Sequence, residues 1–96
     1  RNGYTLRMHA IITMTGKDRP GVIAAVAQAC AENNLNIVDV SQTLMADFFT
    51  MIMRVELPAG EVDMEKLQGE MDRVSEPLGM ITRIQSEALF DAMNDI

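Results

Sequence analysis

Residues 16–22 read Gly-Lys-Asp-Arg-Pro-Gly-Val and lie between two segments of different periodicity. Two glycines and a proline within six residues favour a turn, and an Asp or Pro there can begin a helix. Residues 8–15, which precede the stretch, alternate between two faces and predict a strand. After it, apolar residues recur at helical spacing until Asn33-Asn34. The stretch therefore joins a first strand to a first helix.

The rest of the chain contains further segments with the alternation of a strand or the spacing of a helix. Residues 35–45 and 48–57 alternate and are separated by a two-residue turn, which predicts a hairpin. Apolar residues three and four apart over 64–78 predict an amphipathic second helix. Residues 80–85 predict a fourth strand. A final amphipathic turn or two of helix is indicated by Leu89, Phe90, Met93 and Ile96.

The predicted order is strand, helix, strand, strand, helix, strand, with a short helical tail. Such a chain buries its apolar surface as an α+β, ferredoxin-like βαββαβ domain, a four-stranded antiparallel sheet with both helices on one face. We expect this domain to span residues 8–86 and the amphipathic tail 87–96. Residues 1–7 are interpreted as a leader outside the fold, because the chain begins Arg1-Asn2-Gly3 without an initiator Met.

Composition excludes several classes of partner and location. Fourteen acidic residues against eight basic ones give a net charge of -6, the wrong sign for a nucleic-acid backbone or an anionic membrane surface. No run approaches the roughly 18 apolar residues of a membrane-spanning helix, and no secretory signal is evident. Cys30 is the single cysteine and cannot form an internal disulfide. We therefore expect a cytoplasmic protein.

The face of the sheet away from the helices predicts self-association. We expect Val40 on the helix side, and Ile11, Phe48 and Ile52 on the opposite side among polar residues. Either the tail or a second subunit must cover these apolar groups, and an unpaired edge strand also favours pairing with another copy. We therefore expect a homodimer. The plainer interpretation is that scattered apolar residues at a surface are normal.

The turn over residues 16–21 is the segment best suited to bind a ligand. Free amide groups at a helix N-terminus attract a carboxylate or phosphate, and Gly21 lets a ligand approach the backbone without meeting a Cβ. Asp18 can accept a hydrogen bond from a ligand ammonium, or it can cap the helix instead. The segment matches neither a dinucleotide-binding motif nor a phosphate-binding loop, and no cofactor is indicated.

Catalytic and metal chemistry find little support. His9 and Cys30 are the only residues of their types, on a strand and on the apolar face of a helix, so we interpret them as a surface strand residue and a core residue. Acylphosphatase-like hydrolysis would need Arg19 to hold phosphate, a loop richer in glycine and a water-positioning Asn on a central strand. The last two features are missing. The sequence therefore predicts neither an enzyme nor a metal site.

The residues over 16–22, the alanine-rich helix and Asn33-Asn34-Leu35-Asn36-Ile37 together resemble the ACT domain, a small regulatory module of many amino-acid-metabolism enzymes. Further segments make the chain similar, more specifically, to an uncharacterised family of free-standing single-ACT proteins. These segments are residues 37–43, 47–53, 83–85 and 89–93.

The resemblance implies a βαββαβ domain that pairs with another ACT domain, often edge to edge, and binds an amino acid between the two. Serine-binding ACT domains use a His-x-Asn-x-Pro-Gly loop and an Asn at the start of the second strand. Here Asp18 stands at the first Asn and Asn36 at the second, while Gly16 replaces the histidine. These changes alter the polar contacts offered to a ligand, so the resemblance does not imply serine itself.

We therefore predict a non-enzymatic, dimeric ligand-sensing domain that binds a small amino acid or related metabolite across the subunit interface. The amides of Gly21 and Val22 would hold the carboxylate, Asp18 the ammonium, and Asn36 would bond to the ligand or the loop. The predicted ligand-binding residues are Gly16, Asp18, Arg19, Pro20, Gly21, Val22 and Asn36. The alternative is a structural or protein-interaction module without a small-molecule ligand, whose dimer face meets a regulated protein.

Overall fold

A computed structural model describes residues 8–94 and shows one four-stranded antiparallel sheet in the order β2-β3-β1-β4. The elements are β1 (His9–Lys17), α1 (Val22–Glu32), β2 (Asn36–Met45), β3 (Phe48–Glu56), α2 (Met64–Ser75), β4 (Met80–Ser86) and α3 (Glu87–Asn94). This arrangement confirms the predicted ferredoxin-like βαββαβ plan with a short C-terminal helix. The predicted leader over residues 1–7, and Ile96 of the predicted tail, lie outside the described residues.

The core lies between one face of the sheet and the two longer helices. Ala10, Ile12 and Met14 of β1 are fully buried, as the alternation of that strand predicted. Side chains of β3 and β4 join them on the same face because the strands pair in register. Leu67 and Met71 of α2 complete the core from above. Burial of these side chains is the main force that holds the helices on this face.

The ends of the helices follow the predicted stop signals with one local difference. Helix α1 ends where Asn34 adopts a φ of 59°, and the side chain of Asn33 donates a hydrogen bond to the carbonyl of Ala29 at 2.8 Å. The predicted second helix over 64–78 is α-helical only to Ser75. Pro77 lacks an N–H to donate, and the last turn, Glu76–Leu78, is a tighter 3-10 turn.

Strand β2 differs from the prediction in its exposure. The pairing with β3 shifts register between Ile37 and Asp39, so Val38 lies in a bulge. Val40 pairs with Met53 and shares the helix face, as expected, yet it is 45% exposed. Val40 therefore lies on the predicted face of the sheet, but the helices leave much of its side chain exposed because β2 lies at the edge of the sheet.

The face of the sheet away from α1 and α2 is partly covered by the C-terminal helix. Helix α3 contacts β1 and β4, and Ile11 on this face is only 7% exposed. Phe48 and Ile52 remain 53% and 41% exposed on the same face. The tail therefore covers one end of this face and leaves the other end open. Within residues 8–94, no helix is long and apolar enough to cross a membrane.

Candidate functional site

Gly16 on β1 lies close to the start of β4. A Cβ built on Gly16 would lie 2.8 Å from the carbonyl oxygen of Gly79 and 2.6 Å from the Sδ of Met80. The backbone oxygen cannot move aside cheaply, so a residue with a side chain does not fit this position without displacing β4. The glycine that replaces a histidine in the predicted binding motif is thus required by packing between two strands.

Helix α1 begins without a side-chain cap. Its N-cap is Gly21, with φ 88° and ψ −2°, and no side chain of residues 8–94 caps the first turn with a hydrogen bond. Asp18 therefore does not cap this helix, and the capping interpretation of that residue is wrong. The other two α-helices are different, because Asp63 accepts from the amide of Lys66 and Ser86 accepts from that of Leu89. Helix α1 also has no acidic residue in its first turn.

The space in front of this helix start is open. A Cβ added to Gly21 would meet no atom of the described part of the chain within 4 Å. Ile23 is 47% exposed and Ala24 is exposed, whereas Val22 is 3% exposed because its side chain joins the core. The carbonyl of Gly21 accepts from the amide of Ala25 at 3.0 Å and closes the first turn. The accessible residues at this helix start are therefore Gly21, Ile23 and Ala24, and Val22 offers less surface than predicted.

Asp18 is held by its backbone and leaves its side chain exposed. Its amide donates to the carbonyl of Asp47 in the β2–β3 turn at 2.7 Å. The neighbouring Lys17 and Asp47 side chains form an exposed ion pair at 3.6 Å. Within the described residues, no ion pair or hydrogen bond engages the Asp18 carboxylate. Arg19 and Pro20 complete the exposed turn between β1 and α1. The loop thus presents one free carboxylate beside the uncapped helix start.

Asn36 lies at the opposite end of the sheet from this loop. It pairs with Glu56, which also pairs with His9 at the start of β1, whereas Lys17 at the end of β1 pairs with Phe48. The length of β1 separates the two ends by roughly 27 Å, at about 3.4 Å per residue. Strands β1 and β2 run in the same direction, so the loop after β1 and the start of β2 do not meet in one copy. The predicted site residues are therefore not all brought together within one chain.

A polar cluster surrounds Asn36 that the sequence did not predict. Asn36 donates to Glu56 at 3.0 Å, and the imidazole of His9 lies 3.8 Å from Glu56 and 3.7 Å from Glu87. The Arg54 guanidinium donates to Glu87 at 2.9 and 3.1 Å. This hydrogen bonding lowers the pKa of Glu87, despite some desolvation. These contacts join β1, β2, β3 and α3, so periodicity within one element could not find them.

Cys30 is a core residue, as predicted. It is 1% exposed, and burial raises the pKa of its thiol to about 11. The described residues contain no group of three or more His, Cys, Asp or Glu side chains placed to hold a metal ion. The polar groups that residues 8–94 present near the predicted site are backbone amides, carboxylates and one imidazole.

Comparison with known sequences agrees with the geometry. A sequence profile of the ACT domain matches residues 8–85. The UPF0237 protein of Clostridium acetobutylicum is 44% identical over 89 residues, which cover 93% of this chain and 100% of that protein. The relative therefore has nearly the same length as this chain.

Solved structures extend the likeness. An ACT domain protein from Streptococcus pneumoniae superposes with a TM-score of 0.79 at 40% identity, covering 92% of this chain and 99% of that one. A putative glycine cleavage system transcriptional repressor superposes with a TM-score of 0.71 at 22% identity, covering 85% of this chain and 47% of that one. The second likeness, at low identity, is one of fold alone. The first also confirms the resemblance inferred from residues 16–22 and from the later segments.

Proposed function

Because this chain belongs to the ACT domain family, we propose that it is a non-enzymatic regulatory domain that binds a small amino acid or related metabolite between two copies of itself. We place the protein in the cytoplasm, where its single buried thiol, Cys30, suits a reducing environment. The proposal has three parts, which are a pocket for a carboxylate, a partner for an ammonium group and a contribution from a second copy.

The uncapped start of α1 carries the proposal. The first amides of a helix have no partner within the helix, and they carry partial positive charge. Side chains cap α2 and α3, but Gly21 leaves the start of α1 uncapped and opens it to solvent. A carboxylate placed there would gain hydrogen bonds from Gly21 and the first helical turn at little steric cost.

Asp18 supplies the complementary charge. Its backbone amide donates a 2.7 Å hydrogen bond to Asp47, which holds the exposed carboxylate beside the helix start. No partner among the described residues binds that carboxylate. An ammonium group is its natural counterpart. A ligand with a carboxylate and an ammonium a few ångströms apart is an α-amino acid or a close relative. Arg19 and Pro20 would shape the outer wall of this loop.

Asn36 can reach such a ligand only from a second copy. A two-fold axis beside the exposed edge of β2 makes the two β2 strands antiparallel, because an isologous pair exchanges its ends. The start of one β2 then lies at the Met45 end of the other, which is the end that carries the loop. In this arrangement Asn36 of the second copy approaches Asp18 and Gly21. The ligand would therefore stabilise the pair by mass action.

The edge of β2 is suited to this pairing. Apart from the half-buried Ile37, every residue of the strand is exposed, and Val40 and Leu44 are 45% and 57% exposed. The bulge at Val38 limits regular pairing to Asp39–Met45, which is long enough for a continuous ladder. Apolar side chains would be buried together with the backbone groups of the edge.

The alternative is a protein-interaction module with no small-molecule ligand. It is favoured by the apolar residues that α3 leaves uncovered, because Phe48, Ile52 and Ile81 are 53%, 41% and 77% exposed. Such a module would use this face to contact a regulated protein. It predicts an empty loop at Asp18 whatever amino acid is supplied.

Isothermal titration calorimetry of the purified chain against each of the twenty amino acids tests the proposal. We expect heat with at least one small amino acid, loss of that heat in Asp18→Ala and in Asn36→Ala, and no loss in Asp91→Ala, an exposed carboxylate on α3. Analytical ultracentrifugation of the same samples should show a dimer that the active amino acid stabilises. Absence of heat with every amino acid would remove the sensing function and leave the interaction module.

A further inference from the structure

Strand β4 forms the second edge of the sheet and is open to approach. Its one strand neighbour among the described residues is β1. A groove of about 430 Å³ follows the line between α2 and β4, and Ile81 in its wall is 77% exposed. An open edge presents unpaired N–H and C=O groups that invite a strand from another chain. The size of the neighbouring side chains therefore does not by itself prevent another strand from pairing with β4.

The side chain of Gln68 occupies the edge instead. Its Nε2 donates to the carbonyl of Thr82 at 2.8 Å, and its Oε1 accepts from the amide of Ile84 at 2.9 Å. A neighbouring strand would bond to such groups, an outward C=O followed two residues later by an outward N–H. The carboxamide of one helical side chain thus takes the place of the N–H and C=O of one residue of an added strand.

The orientation of the Gln68 amide is fixed by a third bond. The second hydrogen on Nε2 donates to Oδ1 of Asp72, one helical turn away, at 2.9 Å. A flipped amide would place its oxygen against both the Thr82 carbonyl and the Asp72 carboxylate, which repel it. Both donors and one acceptor site of Gln68 are therefore engaged in the arrangement that matches the edge.

The other edge of the sheet lacks such a device. Within residues 8–94, no side chain bonds to the backbone of β2 in the way that Gln68 bonds to β4. The ten residues of β2 are exposed apart from the half-buried Ile37. The sheet therefore has one edge closed by a side chain and one edge left available.

We propose that Gln68 closes the β4 edge against intermolecular strand pairing, so that a second copy of this chain can add only at β2. This inference rests on the proposed function in one respect, because that proposal makes a second copy of the chain the occupant of β2. A sheet open at both edges would add copies on both sides without limit, since pairing at two different edges does not close. Gln68 thus limits assembly to a pair.

Replacement of Gln68 by Met tests the inference. Gln68→Met keeps the length and helix propensity of the side chain and removes all three hydrogen bonds. We expect sedimentation velocity to show species larger than those of the wild-type chain, growing with protein concentration. Gln28→Met is the matched control, because it places the same apolar side chain on the exposed surface of α1. It should sediment as the wild type does.

The outcome is separate from that of the proposed function. If the wild-type chain is a monomer, the proposed dimer fails, yet larger species of Gln68→Met would still support closure of β4. Identical sedimentation of Gln68→Met and wild type at every concentration would overturn the inference. Circular dichroism checks that the variant is folded. In the wild type, the Ile84 amide, which bonds to Gln68, should exchange its hydrogen as slowly as the Arg83 amide, which faces β1. Fast exchange at Ile84 would also overturn the inference.

Discussion

Arg54 on β3 donates two hydrogen bonds to Glu87 at the start of α3, at 2.9 and 3.1 Å. The pair joins the sheet to the C-terminal helix across 33 residues of sequence. His9 lies 3.7 Å from the same carboxylate. The polar cluster therefore positions α3 on the face of the sheet that the longer helices leave open.

Glu87→Gln should destabilise the chain in a pH-dependent manner. The Arg54 hydrogen bond lowers the pKa of Glu87 from its ordinary value of 4.5, so the folded state favours the carboxylate. This stabilisation is fully present above pH 4.5 and is lost as the pH falls through the lowered pKa. We expect wild type to resist urea better than Glu87→Gln at pH 7, with the difference shrinking towards pH 3.

Glu65→Gln is the control for that series. Glu65 is exposed in the first turn of α2 and has no ion-pair partner among the described residues. Its substitution should leave a small difference from wild type in urea resistance, and this difference should change less between pH 7 and pH 3 than that of Glu87→Gln. A gap between wild type and Glu87→Gln that is constant from pH 7 to pH 3 would contradict the role of the ion pair.

Gly16→Ala and Gly69→Ala should change stability in opposite directions. At position 16 the new methyl meets the Gly79 carbonyl and Met80, and overpacking of this kind costs about 1–3 kcal/mol. At position 69, on the surface of α2, the methyl meets no atom of residues 8–94 within 4 Å, and alanine favours the helix by about 1 kcal/mol. Urea unfolding of both variants measures this. Equal stability of the two would show that β1 and β4 do not approach closely at Gly16.

The Cys30 thiol should be unreactive in the folded chain. It is 1% exposed, and burial raises its pKa to about 11, so the reactive thiolate is scarce at neutral pH. We expect a thiol reagent at pH 8 to label native protein far more slowly than protein in urea, in step with unfolding. Rapid labelling of the native chain would place Cys30 at the surface and contradict the packing of α1.

The sequence predicted the order of elements because each strand and helix carries its own period. Residues 8–15 alternate, and residues 64–78 repeat at helical spacing, so each could be identified without knowledge of its neighbours. The exposure of Val40 was not predictable in this way. It depends on β2 being the last strand of the sheet and on the bulge at Val38, both of which arise from contacts between elements.

The candidate site was predictable in its loop and not in its geometry. Two glycines and a proline over 16–21 indicated a turn that leads into a helix, whereas the lack of a side-chain cap at Gly21 and the distance between Asn36 and that loop follow from the assembled fold. The Gln68 bonds to β4 were also invisible, because a polar residue on a helix gives no signal of which strand lies beneath it. Such contacts require the assembled fold.

Subunit complementation can show whether the proposed site is shared between two copies of the chain. Asp18→Ala and Asn36→Ala each remove one part of the proposed site, and we expect neither variant alone to bind the amino acid that gives heat with wild type. When the two are mixed and allowed to exchange subunits, a heterodimer regains one complete site, formed by the loop of one chain and Asn36 of the other. Calorimetry should then recover about a quarter of the wild-type capacity at a random mixture. Failure of every mixture to bind, with heterodimers shown to form, would contradict a site shared between two copies.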